Sequence, residues 1–219
     1  MTPYYEGDGV TLYHGDCLKV TEWLAADVMV TDPPYGRGWK QGDTGTARGW
    51  VSDRHDGIQG DSSTSTRDAA LALWDRPGVM FGDLMLPPPS GTRHVLIYDK
   101  GSDAGFIGGV GGYRRNAEAI YLVGSHGGQL GGRSAILQTS VSAGGNYARR
   151  YGHPHAKPLD VMEQLIDACP PGVIADPFAG SGSTLVAARN LGRKAVGVEI
   201  EERYCEIIAR RLDQAVLPL

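Results

Sequence analysis

Three short apolar runs, each ended by an acidic residue, constrain the fold more than any other feature of this sequence. The first comes just before Asp32, the second just before Asp176, and the third ends at Glu199. Apolar runs of this length, bounded by turn residues, are typical of strands that are buried on both faces. Further candidate strands bring the expected total to seven, and they lie at 11–14, 79–81, 94–98 and 117–123.

Segments with helical spacing of apolar residues separate these strands. Helices are expected over about 18–25, 65–74, 158–166, 184–190 and 201–215. Strands that alternate with helices predict an α/β fold whose mostly parallel sheet is covered on both faces. We expect one domain over residues 1–219, with loop-rich insertions between about 36 and 150, where long glycine-rich stretches lack periodicity.

Composition narrows the class of protein further. Apolar residues make up 41% and charged residues 21% of the chain, which are ordinary values for a soluble protein. No apolar run approaches the roughly 20 residues of a membrane helix, and the polar N-terminus lacks the layout of a signal peptide. The three cysteines form no Cys-x-x-Cys pair. We therefore expect a cytoplasmic protein with no membrane partner, no metal, and cysteines that act as small buried apolar residues.

The distribution of charge points to one unusual region. The net charge is −4, which does not by itself indicate a nucleic-acid-binding protein. Between Tyr113 and Lys157, however, a single acid, Glu118, stands against six basic residues. A surface that faces phosphates needs such an excess, although a solvated loop face explains it equally well. The six are Arg114, Arg115, Arg133, Arg149, Arg150 and Lys157.

The second apolar run leads into a glycine motif, Phe178-Ala179-Gly180-Ser181-Gly182. Ligands of open α/β sheets bind beyond the carboxyl ends of the strands, and glycines let a ligand approach the backbone. Glu199, at the end of the next strand, can accept hydrogen bonds from both hydroxyls of a ribose. Phe178, Gly180, Gly182 and Glu199 therefore predict a site for an adenosine-containing cofactor, with a bare strand-to-helix turn as the alternative.

The residues after the glycine motif bear on which cofactor this is. A dinucleotide site would need a third glycine and a helix N-terminus aimed at pyrophosphate, but Ser183 and Thr184 follow Gly182. A phosphate-binding P-loop would need a lysine that is missing here. S-adenosylmethionine carries no phosphate and requires neither device, so it is the expected cofactor.

The first apolar run leads into Asp32-Pro33-Pro34-Tyr35. The exocyclic amine of a nucleobase is a poor nucleophile, because its lone pair is delocalised into the ring. The Asp32 carboxylate and the Pro33 carbonyl, in a segment stiffened by Pro34, can accept the N–H groups and free that lone pair. Tyr35 offers a flat face to a base pulled out of a duplex. A plain turn is the alternative for this motif taken alone.

Together the two motifs resemble those of the amino-directed DNA methyltransferases, which modify adenine N6 or cytosine N4. Within that family the order resembles the circularly permuted beta group, where the catalytic motif precedes a target-recognition region and the cofactor motif follows it. The resemblance covers roughly residues 10–36 and 150–212. It implies a Rossmann-like S-adenosylmethionine-dependent methyltransferase fold with a seven-stranded sheet, in which the strands ending at Thr31 and Ala175 are neighbours.

The resemblance also assigns roles to residues outside the two motifs. Asp16, in Gly15-Asp16-Cys17, resembles the acid that contacts the cofactor adenine. Lys157, in the segment 153–158, resembles part of the His-Pro-x-x-Lys-Pro segment near the methionine end of the cofactor. Asp176 resembles the acid that starts the glycine motif. Asp16, Lys157, Asp176, Ser183 and Thr184 are thereby expected at the cofactor.

The middle of the chain departs from family members that carry a large recognition domain. Target choice is therefore expected to depend on a few loop residues, or on a second subunit in a homodimer. The expected partner is double-stranded DNA, and Trp39 and Trp50 are candidates to hold the flipped base or to anchor their loop. The arginines expected to contact DNA are Arg114, Arg115, Arg133, Arg149 and Arg150.

Several substrates remain open at this point. Asp32 at the first catalytic position resembles adenine N6 enzymes, whereas cytosine N4 enzymes of this arrangement more often have Ser there. A protein glutamine methyltransferase would more often have Asn first and the cofactor motif earlier in the chain. A DNA-binding remnant without turnover would not need both motifs intact. We therefore expect site-specific adenine N6 methylation, with cytosine N4 as the alternative.

Overall fold

The computed structural model describes residues 1–38, 61–101, 109–126, 132–140 and 156–214. In these ranges the chain forms one sheet with helices packed against it. Its strands are β1 (Tyr5–Gly7), β2 (Val10–His14), β3 (Val28–Thr31), β4 (Gly78–Gly82), β5 (Thr92–Asp99), β6 (Ala117–Val123), β7 (Ile136–Gln138), β8 (Ile174–Asp176) and β9 (Ala195–Glu199). Its helices are a 3₁₀ helix (Glu22–Ala25), α1 (Ser65–Ala72), α2 (Leu159–Asp167), α3 (Ser183–Asn190) and α4 (Glu202–Asp213).

The strand order across the sheet is β1-β2-β9-β8-β3-β4-β6-β5-β7. The consecutive neighbours from β2 to β4 pair in parallel. Strand β6 runs antiparallel to both β4 and β5, β1 runs antiparallel to β2, and β7 pairs in parallel with β5. The expected mixed, mostly parallel α/β sheet is confirmed, and β3 and β8 are neighbours, with Met29 opposite Ala175.

The expected count of seven strands is wrong, because the described residues alone form a sheet of nine. The two additional strands, β1 and β7, have three residues each and lie at opposite edges of the sheet. Tyr5–Gly7 has no buried residue, and Ile136–Gln138 buries only Leu137. Edge strands this short do not require a continuous apolar run, so the hydrophobic pattern did not reveal them.

Alternate residues of β3 supply two different core clusters. Val28 and Val30 pack in a cluster with side chains of α2, α3 and α4, whereas Met29 packs on the other face with Trp23 and Trp74. The two tryptophan rings stack with centroids 5.6 Å apart. The sheet is thus covered on both faces, which explains why its central strands are apolar throughout.

Some expected boundaries shift. The helix expected over 18–25 is a turn followed by the 3₁₀ helix, and the Trp23 indole N–H donates to the Cys17 carbonyl across them. Cys17 and Cys205 are buried and Cys169 is half-buried, and all three are free thiols. Among the described residues, no helix has both the length and the apolarity needed to span a membrane.

Candidate active site

Both motifs open onto one cavity of about 810 Å³ at the carboxyl ends of the central strands. The adjacent strands β3 and β8 bring them together, and the Thr31 hydroxyl donates a 2.7 Å hydrogen bond to Asp176 Oδ1. The expected residues that line the cavity are Asp16, Asp32, Pro33, Pro34, Tyr35, Arg114, Arg115, Lys157, Asp176, Phe178, Gly180, Ser183, Thr184 and Glu199.

The glycine motif forms a sharp turn between β8 and α3. Gly180 and Gly182 both have left-handed φ values, 52° and 78°, that other residues rarely adopt. Gly182 is not among the residues that line the cavity. A Cβ there would lie 2.8 Å from Ile208 Cγ1 of α4, so this glycine permits close helix packing. Arg211 of α4 donates to the Ser181 carbonyl and holds the turn from behind.

Two buried carboxylates are held at this turn by backbone N–H groups. Glu199 Oε2 accepts from Gly180 N at 2.7 Å, and its Oε1 accepts from Glu201 N at 2.8 Å. Asp176 Oδ1 accepts from Phe178 N at 3.1 Å. Burial raises the pKa of Glu199 to about 7 and that of Asp176 to about 6, despite these hydrogen bonds.

The acidic lining at this end of the cavity fits some cofactors better than others. Asp16, whose Oδ1 accepts from Leu18 N at 3.0 Å, joins Asp176 and Glu199 there. Three carboxylates around the turn would repel a pyrophosphate, whereas they can accept hydrogen bonds from ribose hydroxyls and attract a positively charged ligand. The residues present therefore fit S-adenosylmethionine and do not fit a dinucleotide. The Ser183 hydroxyl donates to the Lys157 carbonyl at 2.8 Å, which ties the turn to the segment that carries Lys157.

The Asp32–Tyr35 motif places its polar groups around the buried side chain of Lys157. Tyr35 OH donates to Asp32 Oδ1 at 2.7 Å, and Lys157 Nζ lies 2.9 Å from Asp32 Oδ2 and 3.1 Å from Tyr35 OH. Burial raises the pKa of Asp32, and Lys157 limits that rise. Burial and the nearby Asp32 charge hold the pKa of Tyr35 well above its usual value, so Tyr35 donates as a neutral phenol.

Glu118 is a site residue that the sequence argument missed. Its Oε2 lies 3.0 Å from Lys157 Nζ, and its Oε1 lies 2.9 Å from Lys100 Nζ. Burial alone would raise the pKa of Glu118, but the two ammonium groups outweigh it and lower the value to about 2. The pKa of Lys157 is raised, since the Asp32 and Glu118 carboxylates outweigh the opposing effect of burial. A chain of alternating charge, with Lys157 buried and the other three side chains half-buried, thus runs from Asp32 to Lys100.

This arrangement changes the interpretation of the basic region. Lys157 is buried among carboxylates and contributes nothing to a phosphate-facing surface. Arg114 and Arg115 line the cavity, whereas Arg133 pairs with Asp167 at 2.9 Å on the exposed surface, away from the cavity lining. The expected site residues Arg149 and Arg150, both candidate tryptophans (Trp39 and Trp50) and the 153–155 part of the lysine segment lie outside the described residues.

Comparison with known proteins defines the class. A family model described as DNA methylase, for N6 and N4 enzymes, matches residues 115–210. The putative methylase YubD of Escherichia coli K12 is 30% identical over 214 residues, which cover 90% of this chain and 88% of that protein. The chain belongs to the N6/N4 family of DNA methyltransferases.

Two solved structures have the same fold. The PvuII DNA methyltransferase, described as cytosine-N4-specific, has a TM-score of 0.69 at 16% identity, covering 99% of this chain and 90% of that one. The M1.HpyAVI–SAM complex has a TM-score of 0.62 at 19% identity, covering 92% and 99%.

Proposed function

We propose that this protein transfers a methyl group from S-adenosylmethionine to the exocyclic amine of a base in double-stranded DNA, with adenine N6 as the preferred target. The supporting observation is that the Asp32 carboxylate and the glycine turn with Glu199 open onto one cavity. The family membership supports a DNA substrate, and the M1.HpyAVI–SAM complex supports the choice of donor.

The donor half of the site is assigned to the glycine turn and its carboxylates. Glu199 would accept the ribose hydroxyls, Asp16 would contact the adenine, and Phe178 and Gly180 would line the pocket. When bound, S-adenosylmethionine supplies an electrophilic methyl group on a sulfonium sulfur. The carboxylates of Asp16, Asp176 and Glu199 favour a cation in their neighbourhood. Ser183, Thr184 and Gly182 support the turn, and Lys157 borders both halves of the cavity.

The acceptor half is assigned to Asp32, Pro33, Pro34 and Tyr35. Asp32 accepts an N–H of the target amine and, with the Pro33 carbonyl, frees the nitrogen lone pair for in-line attack. Lys157 holds the Asp32 carboxylate in position and keeps it ionised. Because the base must leave the duplex to reach this cavity, the proposal includes extrusion of the target base, with Tyr35 at its face.

Glu118 completes the acceptor half as a positioning residue. Lys157 beside Asp32 alone would form a neutral pair next to a nitrogen that gains positive charge as the methyl group arrives. The Glu118 carboxylate, 3.0 Å from Lys157 Nζ, shares the lysine charge with Asp32 and holds the ammonium away from the amine. Its own second oxygen is held by Lys100, so the whole chain has little freedom to rearrange.

Adenine is preferred over cytosine because the first catalytic position is Asp32, and an Asp at this position resembles the adenine N6 enzymes of the family. Cytosine N4 is the alternative, and the cytosine-N4-specific PvuII enzyme has the same fold at 16% identity. The two assignments differ only in the base that carries the target nitrogen, since adenine N6 and cytosine N4 are both exocyclic amines. The same cavity chemistry therefore serves either assignment.

Three further features belong to this proposal. The catalytic motif precedes strands β4 to β7 and the glycine motif follows them, as in the circularly permuted beta group. Residues 1–219 act as a single methyltransferase domain, either alone or in a homodimer. Arg114, Arg115, Arg133, Arg149 and Arg150 are candidates for DNA phosphates, and a site-specific methylase of this kind would serve restriction-modification.

The decisive experiment expresses the protein in a host that lacks DNA methylation and maps modified bases by modification-sensitive long-read sequencing. The expected result is N6-methyladenine at one short sequence, which disappears with Asp32→Ala. N4-methylcytosine at one sequence would keep the mechanism and change the base. Unmodified DNA, together with methylated protein glutamine, would overturn the proposal.

A further inference from the structure

Beside the mouth of the cavity, two large apolar side chains stand exposed on a tight turn. Val110 and Tyr113 face each other across two backbone hydrogen bonds, Val110 N to Tyr113 O at 3.1 Å and Tyr113 N to Val110 O at 3.0 Å. Gly111 and Gly112 between them have φ values of 60° and 83°. Positive φ at both central residues is the mark of a type I′ turn, which fixes the two flanking side chains as neighbours.

The exposure of this pair is high even for surface residues. Tyr113 is 83% and Val110 is 73% accessible to solvent. Single exposed apolar residues need no explanation, but two fixed together on a stiff turn are typical of a surface that meets a partner. Met85, on the cavity lining itself, is also 72% exposed.

The location of the turn favours nucleic acid as that partner. Arg114 and Arg115 follow Tyr113 directly in the chain and line the cavity together with Asp32 and Tyr35. A duplex that delivers a base to Asp32 must lie across this mouth, where the guanidinium groups meet its phosphates. The side chains of the turn then stand against the base stack. A protein partner would gain little from cations placed at the edge of a catalytic cavity.

We propose that the Val110–Tyr113 turn is a wedge that enters the base stack of duplex DNA beside the target base, with the Tyr113 ring stacked in the space that the extruded base leaves. This inference rests on the proposed function and adds to it the element that stabilises the opened duplex. Apolar and aromatic wedges suit this task because every base offers a flat face, so stacking needs no particular sequence.

The test compares Tyr113→Ala with Tyr113→Phe, which keeps the ring, and with Ile136→Ala, which removes an exposed apolar side chain from edge strand β7. The probe is a duplex carrying the sequence mapped in the methylation-free host, prepared with the target base either paired or mismatched. Methylation of the paired duplex should fall about ten-fold in Tyr113→Ala. Most of that loss should disappear on the mismatched duplex, where opening is already easy, and the other two variants should match the wild type.

Equal rates for Tyr113→Ala and wild type on the paired duplex would overturn the wedge, and so would equal losses on both duplexes. DNA affinity of Asp32→Ala against Asp32→Ala/Tyr113→Ala, measured by fluorescence anisotropy on a random-sequence duplex, separates this result from the proposed function. If the wild type methylates nothing but affinity still falls with Tyr113→Ala, the activity fails and the DNA contact stands. If the wild type methylates nothing and Tyr113→Ala leaves DNA affinity unchanged, the proposed function and the wedge both fail.

Discussion

The two ends of the cavity fix their carboxylates in opposite ways. At the glycine turn, Glu199 accepts hydrogen bonds from the backbone N–H groups of Gly180 and Glu201, and Asp176 accepts one from that of Phe178. At the catalytic end, Asp32 and Glu118 are held by the ammonium groups of Lys157 and Lys100. The backbone-held end keeps its shape when one side chain changes, whereas the charge chain depends on every member.

The pKa values show the same contrast. Burial raises the pKa of Glu199 to about 7, because hydrogen bonds from amides only partly replace water. The Glu118 side chain is also largely shielded from solvent, yet two cations lower its pKa to about 2. The glycine turn thus tolerates a carboxylate near its titration point, whereas the catalytic end keeps Glu118 ionised.

The largest effect is expected from Asp32→Ala. Loss of this carboxylate removes the acceptor for the target amine, so kcat should fall by about 10²-fold or more. Donor affinity should stay within about two-fold, because the glycine turn is held independently. Labelled-methyl transfer and donor titration by calorimetry measure the two quantities. Asp75→Ala, at a side chain that is 91% exposed, serves as the control, and activity retained by Asp32→Ala would refute the assigned role.

Glu199→Ala is expected to act on binding of the donor. The affinity for S-adenosylmethionine should weaken by roughly 1.5–3 kcal/mol, the range for a hydrogen bond to a charged group. The rate at saturating donor should change much less. Glu202→Ala, on the exposed first turn of α4, is the matched control in the same calorimetric titration. An unchanged dissociation constant would count against the ribose contact.

Glu118→Gln tests whether the catalytic end depends on its charge chain. The substitution keeps the shape but leaves Lys157 with Asp32 alone, and kcat should fall roughly ten-fold through misplacement of Asp32. The Michaelis constant for the donor should not move, and Glu118→Asp should recover part of the rate. Glu163→Gln removes a surface acid but can still accept the hydrogen bond from Asn190 through its amide oxygen, so it controls for loss of an acid. A parallel rise in both Michaelis constants would indicate a merely structural role.

How far the site could be predicted from sequence follows the same division. The glycine turn, Asp176 and Glu199 could be predicted as candidates at the cavity, because their contacts lie within a strand and the turn after it, or at the end of the adjacent strand. Glu118 escaped notice because its partners, Lys100 and Lys157, come from distant segments that only the folded sheet brings together. Its isolation among basic residues was visible, but as a surface charge. The edge strands β1 and β7 escaped because short edges need little apolar sequence.

Two arginine variants test whether DNA binds at the rim of the cavity or elsewhere on the surface. Arg115→Ala should weaken DNA binding and lower the slope of log affinity against log salt by about one, as for one lost phosphate contact. Arg133→Ala should change the slope less, since Arg133 pairs with Asp167 away from the cavity lining. Anisotropy titrations at several salt concentrations measure both. Equal slopes for the two variants would move the DNA-facing surface away from the cavity.

The smallest effect is on the free energy of unfolding. Its dependence on pH should have opposite signs for the acids at the two ends of the cavity. Glu199 and Asp176 have raised pKa values, about 7 and about 6, so the folded state holds protons that the unfolded state releases. Their contribution to the free energy of unfolding is therefore present in acid and lost as pH rises through about 6 to 7. Glu118, with its lowered pKa of about 2, stabilises above its ordinary titration range and loses that contribution toward pH 2. Denaturant titrations from pH 3 to pH 8 should show Glu199→Gln flattening the neutral limb and Glu118→Gln flattening the acid limb. The same limb flattened by both variants would mean that the two ends are held by the same kind of interaction.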